Sequence, residues 1–345
     1  MTTTVRASAR GAAPPRAGAL RLTLALVGAA LLLLCAAAAS VMFGSMRTSP
    51  GEVLSVLSGD AEPYLTTVVE SRYPRTLLGV LAGVCLAVSG TLMQGVTRNP
   101  LADPGLLGVN TGAAAGVVTA SAFLGASGSA SAMWWALPGA LLAGVLVHVI
   151  GFSGASSSAV RLVLAGAVLT AVLTAYIQAV TLSRPKIFDN YRYWVVGALG
   201  GRDFDVLWSV LPFAVAGLLV ALLIAPALNA LALGDESATS LGANPAVTRA
   251  LGWGSATVLA AAATAAAGPI AFVGLAVPHV VRGLIGTDHR GQIALSVLVG
   301  PVLLLTADVI GRVLLRPQEL MVGVVTAFVG APALLFTLRR MKHSL

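Results

Sequence analysis

The chain has 345 residues, of which 57% are hydrophobic and only 10% are charged, and its mean hydropathy is +0.91. An ordinary soluble domain carries about a quarter charged residues, so this composition excludes a soluble globular protein and indicates one that spans a membrane. The formal net charge of +8 is not arranged as a basic stripe with interleaved aromatic residues, which argues against nucleic-acid binding.

Long uncharged stretches predict the membrane spans, because a helix needs roughly 20 apolar residues to cross about 30 Å of hydrocarbon. Five stretches have the length of one span, and their charged borders are Arg21 and Arg47, Arg75 and Arg98, Arg161 and Arg184, Asp205 and Asp235, and Glu319 and Arg339. A stretch of 57 uncharged residues between Asp103 and Arg161 is long enough for two helices, with a break at GASGSAS, residues 125–131.

The 32-residue stretch between Arg249 and Arg282 contains Gly268-Pro269, which is either a kink in one span or a turn between two. Charge favours the turn. The basic N-terminal arm, residues 1–20, lies inside by the positive-inside rule, and ten spans place the basic C-terminus inside as well. The whole excess of positive charge then faces the cytoplasm and the anionic lipid there. We therefore predict an all-α polytopic membrane protein with about ten transmembrane helices, both termini cytoplasmic, and a single domain over residues 21–345.

RNPLADPG, residues 98–105, is a polar interruption between the second and third predicted helices. Asn99-Pro100 forbids continuation of the helix that ends near Arg98, and Asp103 followed by Pro104 is typical of the start of the next helix. Taken alone, the segment could be no more than a tight cytoplasmic turn.

Four stretches in register resemble the FecCD-type permeases of iron-siderophore, haem and cobalamin ABC importers, the transmembrane subunits of type II importers. They are RYPRTLLGVLAGVCLAVSGTLMQGVTRNPLADPGLLGVNTGAAAG (72–116), LNALALGDESATSLGANP (228–245), GPIAFVGLAVPHVVRGLIGTDHR (268–290) and QELMVGVVTAFVGAPALLF (318–336). The resemblance covers nearly the whole chain after the first helix. It implies ten helices per subunit, an inverted repeat of helices 2–5 and 7–10, and a second permease subunit, identical or homologous, across a central path.

The chain lacks the G-x-x-x-x-G-K-[ST] motif, so nucleotide must bind elsewhere. The resemblance implies two partner ATPase subunits that hold ATP and Mg²⁺, with no cofactor in this chain, and a coupling segment at residues 229–249. Acidic residues suit a helix N-terminus, two apolar residues three positions apart share a face, and a glycine can end the turn. The predicted coupling residues are Gly234, Asp235, Glu236, Ala238, Leu241 and Gly242. The alternative is a loop helix folded onto its own protein.

At the outer face the resemblance implies an extracytoplasmic substrate-binding protein that docks on Arg72, Arg75 and Arg312. Alternatively, Arg72 and Arg75 hold the second helix at the interface, and Arg312 pairs with Asp308 four residues earlier. The resemblance further implies an inner gate in the turn between the fourth and fifth helices, with the residues Ser156, Ser157, Ser158, Ala159 and Val160.

Other functional classes fit less well. A secondary transporter needs ionisable groups near the bilayer midplane for proton or sodium coupling, and few are present. A channel would leave the coupling segment unexplained, and no nucleophile with a base suggests an enzyme. His279, Arg282, Asp288 and His289 cluster near the eighth helix, but the arginine would repel a metal ion, so we predict no metal site.

The scarcity of metal ligands along the spans favours a cation wrapped in an organic chelator as the cargo. We expect a ferric siderophore, with haem or cobalamin as the alternative. The predicted location is the bacterial cytoplasmic membrane.

Overall fold

The computed structural model describes residues 15–126, 129–152 and 159–342. Every regular element in these ranges is a helix, which confirms the predicted all-α class. In chain order the α-helices are α1 Pro15–Met42, α2 Pro50–Ser58, α3 Pro63–Glu70, α4 Arg72–Thr97, α5 Val109–Phe123, α6 Ser129–Phe152, α7 Ala159–Ser183, α8 Pro185–Val195, α9 Phe204–Ala232, α10 Asp235–Ser240, α11 Pro245–Ala267, α12 Val273–Ile285, α13 His289–Leu314 and α14 Val322–Lys342.

Seven helical stretches in the described residues are long and apolar enough to cross a membrane, which confirms a polytopic membrane protein. The other three predicted spans correspond to α5, α12 and α14. α5 has 15 residues and α12 has 13, fewer than a straight helix needs to cross the hydrocarbon core. We call the end of the bundle near Arg98 and Arg249 the inner end, and the end near Arg75 and Arg202 the outer end, after the predicted topology.

The core of the bundle is built around α4, which packs against α9, α11, α12 and α13. Small residues allow this close packing: a Cβ at Gly90 of α4 would collide with the Gly274 carbonyl of α12. α11 contributes an alanine-rich stretch, in which Ala260–Ala263 and Ala265–Ala267 are buried. α1 lies at the periphery, where it packs mainly against α13.

Gly268 separates α11 from α12, so the two do not form one kinked helix, as the charge argument predicted. Its φ of 77° lies in the left-handed region that favours glycine, and the segment 268–272 is not helical. The predicted break in the long uncharged stretch is also present, because α5 ends at Phe123 and α6 begins at Ser129.

Three short helices at the outer end, α2, α3 and α8, lie in connections for which the span analysis predicted no helix. α2 begins with a capping box, in which Ser49 accepts from the Glu52 backbone N–H at 3.2 Å and Glu52 accepts from the Ser49 N–H at 2.6 Å. These helices give the outer end of the bundle an ordered surface.

Candidate functional site

The polar turn at residues 98–105 has the geometry that its sequence predicts. α4 ends at Thr97, and Arg98 follows in the left-handed region with φ 50°. Asn99 accepts a hydrogen bond from the Leu101 N–H at 3.0 Å, and Asp103 accepts one from the Gly105 N–H at 2.7 Å. One detail differs: Asp103 caps a short 3₁₀ helix, Pro104–Leu107, and α5 begins only at Val109. Pro100 lies in the turn that precedes this 3₁₀ helix.

Ion pairs connect this turn to the predicted coupling segment. The Arg98 Nη2 donates to Asp235 Oδ1 at 2.7 Å and to the Leu231 carbonyl, and Arg249 Nη2 reaches the same Asp235 oxygen at 2.7 Å. The hydrogen bond from Arg249, together with that from Arg98, lowers the pKa of the Asp235 carboxyl. α10 is therefore held against the inner ends of α4, α9 and α11. Opposite charges at these helix ends were visible in the sequence, but nothing there indicated which would pair.

The predicted coupling residues form a short helix, α10, which starts at Asp235 and Glu236, with Gly234 before it and Gly242 just after its C-cap at Leu241. The predicted apolar face needs correction. Ala238 is fully buried against the protein, because its side of α10 packs inward, whereas the Leu241 side chain is 65% exposed. Leu233, just after the end of α9, and Val247, in the first turns of α11, are also exposed.

Two further sets of polar contacts lie at the inner end, one between α12 and α4 and one between α9 and the start of α13. Arg282 of α12 donates to Gln94 Oε1 of α4 at 3.1 Å. Asn229 of α9 donates to Asp288 at 2.6 Å and makes contacts of 2.8 and 2.9 Å with the backbone N–H and ring Nδ1 of His289. The cluster that suggested metal ligation thus makes hydrogen bonds within the protein. Among the described residues no group of three or more His, Cys, Asp or Glu side chains could hold a metal ion.

The predicted inner gate lies mostly outside the described residues. Ser156, Ser157 and Ser158 fall in the gap between α6 and α7, and Ala159 and Val160 are the first residues of α7.

At the outer end Asp308 of α13 is the centre of a buried charge cluster. Its oxygens accept from Arg75 of α4 at 2.7 and 3.0 Å, and Arg312 approaches to 2.8 Å, which confirms the predicted pair four residues apart. Arg75 also donates to Glu319 at 2.8 Å. Burial by itself would raise the pKa of the Glu319 carboxyl. The charge and hydrogen bond of the neighbouring Arg75 outweigh this effect, so the pKa is lowered overall.

Arg72 and Arg312 do not present their guanidinium groups to an incoming partner, because both side chains are buried in the bundle. Arg312 donates to the Ser40 carbonyl at 2.9 Å, and Arg72 donates to the carbonyls of Val41 and Met42 at 2.8 and 3.0 Å. The last carbonyls of α1 have no hydrogen-bond partner within the helix, and the two arginines donate to them. Their positive charges also lie at the C-terminal, negative end of the α1 dipole, which is a favourable position.

Two cavities meet at the outer end. One has a volume of about 280 Å³ and lies above the charge cluster, with Arg72, Arg75, Arg312 and Glu319 in its lining. The other has a volume of about 370 Å³ and is lined by α5, α8 and the segment before α9. Arg202 lines both cavities. Arg202 and Trp194 were not among the predicted site residues; both lie between Arg184 and Asp205, in the connection between two predicted spans.

Apolar spanning helices, a short helix at one end of the bundle and cavities at the other fit a membrane permease. The model of the FecCD transport family matches residues 21–340. The chain belongs to this family, and it is a multi-pass inner-membrane permease of a metal-chelate type ABC importer.

Two permeases and one solved transporter are similar to this chain over more than nine-tenths of its length. The chain is 45% identical over 320 residues to the ferric enterobactin transport system permease protein FepD of Escherichia coli (strain K12), covering 92% of this chain and 95% of that protein. It is 34% identical over 319 residues to the hemin transport system permease protein HmuU of Yersinia pestis, covering 91% and 94%. A solved inward-facing metal-chelate type ABC transporter matches with a TM-score of 0.78 at 27% identity, covering 92% of this chain and 98% of that one.

Proposed function

We propose that the protein carries a ferric siderophore into the cytoplasm as the intact chelate. The observation that carries this proposal is the 45% identity, over 92% of the chain, to a permease named for ferric enterobactin. The haem permease is 34% identical over 91% of the chain and a cobalamin permease is 37% identical over 78%, so haem and cobalamin are the alternative cargoes. The absence of a group of metal-ligating side chains among the described residues supports any of these chelates over a free metal ion, which needs ligands along its path.

The cargo can be tested by uptake of radioactive iron from ferric enterobactin in bacteria that lack their own ferric-chelate permeases. The cells would express this permease together with the second permease subunit, the ATPase and the binding protein of the same transporter. We expect iron uptake that an excess of unlabelled ferric enterobactin suppresses and an excess of cobalamin or haem does not. Suppression by haem alone, or uptake of labelled cobalamin, would contradict the siderophore assignment.

We also propose that two partner ATPase subunits, which bind ATP and Mg²⁺, dock on the coupling segment 229–249. Three exposed apolar side chains support this, namely Leu233, Leu241 and Val247. Exposed apolar residues on a helix outside the membrane are typical of a protein contact. The ion pairs of Asp235 with Arg98 and Arg249 would transmit a displacement of α10 to α4 and α11.

For the outer face we propose docking of an extracytoplasmic binding protein over the 280 Å³ cavity. Of the three predicted arginines, Arg75 is the most accessible, with a side chain 13% exposed. Arg72 and Arg312 would contribute positive potential from beneath the surface rather than direct ion pairs. Lower affinity for the binding protein at high ionic strength would be the signature of this contact, because salt screens exposed charges.

The proposed topology has ten crossings, both termini in the cytoplasm, and a second permease subunit across the path. Equivalent contacts in the two halves support the inverted repeat. In the first half α5 packs on α6, α6 on α7 and α5 on α7. In the second half α12 packs on α13, α13 on α14 and α12 on α14. A reporter fused after Lys342 would show directly on which side the C-terminus lies.

A further inference from the structure

Phe272 has a backbone conformation that a phenylalanine rarely adopts. It lies directly before α12 with φ 70° and ψ −22°, in the left-handed region, and Arg98 is the only other non-glycine residue with a positive φ in the described part of the chain. The Cβ of a side chain makes this region unfavourable, and for a bulky residue a positive φ marks strain. Such strain persists only where the surrounding structure imposes it, and it is concentrated at functional sites.

The residue before the other short helix, α5, shows that this conformation does not require a phenylalanine. Gly108 lies directly before α5 with φ 86° and ψ −1°, which is nearly the conformation of Phe272. Glycine adopts it without strain because it has no Cβ. A glycine would therefore serve the backbone at the start of α12 equally well, which indicates that the aromatic ring of Phe272 has a role of its own.

The ring of Phe272 lies against the middle of α14. A Cβ at Gly330 would collide with Cβ and Cγ of Phe272, so only a glycine lets α14 approach the ring this closely. The same part of α14 bends easily, because Pro332 lies inside the helix and cannot donate the backbone hydrogen bond that a helix interior normally makes. Phe272 thus supports α14 beside its weakest point.

The outer part of α14 has a second fixed point and a cavity beside it. The Gly323 N–H donates to the Gly197 carbonyl at 3.2 Å, which holds the first turn of α14. An apolar cavity of about 280 Å³ lies next to Phe272, with walls from α12, α13 and α14, and we call it the α14 cavity. Val329 lines it from α14 and Ala276 from α12. This cavity leaves room for the middle of α14 to move toward α12 and α13.

We propose that Phe272 is a conformational latch for α14. Its strained backbone holds the ring against Gly330 and keeps the α14 cavity open. When the Phe272 backbone leaves the left-handed region, the ring leaves Gly330, and the middle of α14 moves into the cavity while its first turn stays bound to Gly197. The two positions of α14 belong to two states of the transport cycle, so the latch sets the rate of transport and not the affinity for the chelate. This inference rests on the proposed function only in that the protein transports a substrate.

The first test removes the ring in two ways, in the assembled transporter in cells and with ferric enterobactin as the probe. Phe272→Gly and Phe272→Ala should each lower the maximal rate of uptake roughly 2- to 30-fold, the effect typical of a residue that couples two states, and leave the KM unchanged. Both variants lose the ring, but only glycine also relieves the left-handed strain. The purified Phe272→Gly protein should therefore denature roughly 1–4 °C above the Phe272→Ala protein.

The second test fills the α14 cavity and leaves Phe272 in place. Ala276→Leu adds an apolar side chain to this cavity, so the permease should keep or gain thermal stability but transport more slowly. Gly254→Leu is the matched control, because it adds an apolar side chain to a separate cavity of about 180 Å³ between α6 and α11. A Cβ at Gly254 meets no atom within 4 Å, and this variant should take up iron at the wild-type rate.

The outcomes separate the latch from the proposed function. Phe272 variants at normal membrane levels with an unchanged maximal rate, or with only the KM raised, would overturn the latch while the cargo assignment stands. Normal transport by Ala276→Leu, or equal slowing by Gly254→Leu, would also overturn it, and Ala276→Leu decides if the Phe272 variants do not reach the membrane. A wild type that carries no ferric enterobactin would overturn the siderophore assignment, and the same variants are then compared with labelled haem or cobalamin.

Discussion

Replacing Asp308 with asparagine should destabilise the folded protein by about 3–5 kcal/mol, the typical cost of removing one partner from a buried ion pair. Asp308 is 1% exposed and faces both Arg75 and Arg312. Asparagine keeps the shape of the side chain but removes the only ion-pair partner that the described residues give Arg312, and it leaves Arg75 with the more exposed Glu319 alone. We expect a lower midpoint of thermal denaturation for the purified protein in detergent.

Glu319→Gln is the matched control for this prediction. Glu319 binds the same Arg75 at 2.8 Å, but its side chain is 34% exposed. Water screens such a pair, so its loss should cost only about 0–1 kcal/mol. Equal losses of thermal stability in the two variants would show that Asp308 is not the centre of the cluster. The comparison also tests the structural role of Arg312, which this cluster connects to the end of α1.

Replacing Leu241 with aspartate should abolish most substrate uptake while leaving the permease folded in the membrane. Leu241 is 65% exposed, so the change removes little packing within the chain, and exposed substitutions usually alter stability by less than about 0.5 kcal/mol. In the proposed contact with the ATPase, however, it places a charge in an apolar interface. Loss of a central interface residue often costs 2 kcal/mol or more, which is roughly 30-fold in affinity.

Leu54→Asp provides the control, because Leu54 is 64% exposed but lies on α2 at the outer end. The measurements are the amount of permease in the membrane, co-purification of the ATPase, and uptake of ferric enterobactin. The Leu241 variant should lose the ATPase and the uptake, and the Leu54 variant should keep both. Normal uptake by the Leu241 variant would place the coupling contact elsewhere.

The helices of the bundle could be predicted well because hydrocarbon imposes a strong constraint: a span must be long, apolar and bounded by polar residues. The ends of α4 and α11 follow directly from Asn99-Pro100 and from Gly268-Pro269. The short helix α2 was predictable in principle, since Ser49 and Glu52 form a capping box, but a search for spans ignores such local signals.

The partners of the charged residues could not be predicted, because they depend on which helices meet in three dimensions. Arg75 and Asp308 are 233 positions apart in the sequence, yet they form the core of the outer cluster. Spacing predicted only the local pair of Asp308 and Arg312. The burial of side chains could not be predicted either. The sequence suggested that Arg312 lies at the outer surface, where a binding protein could dock, but the packed helices enclose its side chain and its guanidinium binds Ser40.

ATP-driven import of a metal chelate can be tested in vesicles that contain both purified permease subunits and the partner ATPase. Ferric enterobactin and the binding protein are added on the outer side, and ATP with Mg²⁺ on the ATPase side. We predict that labelled iron crosses the membrane only while ATP is hydrolysed and only with the ATPase present. Iron transport driven by a proton or sodium gradient in vesicles without the ATPase would contradict the account.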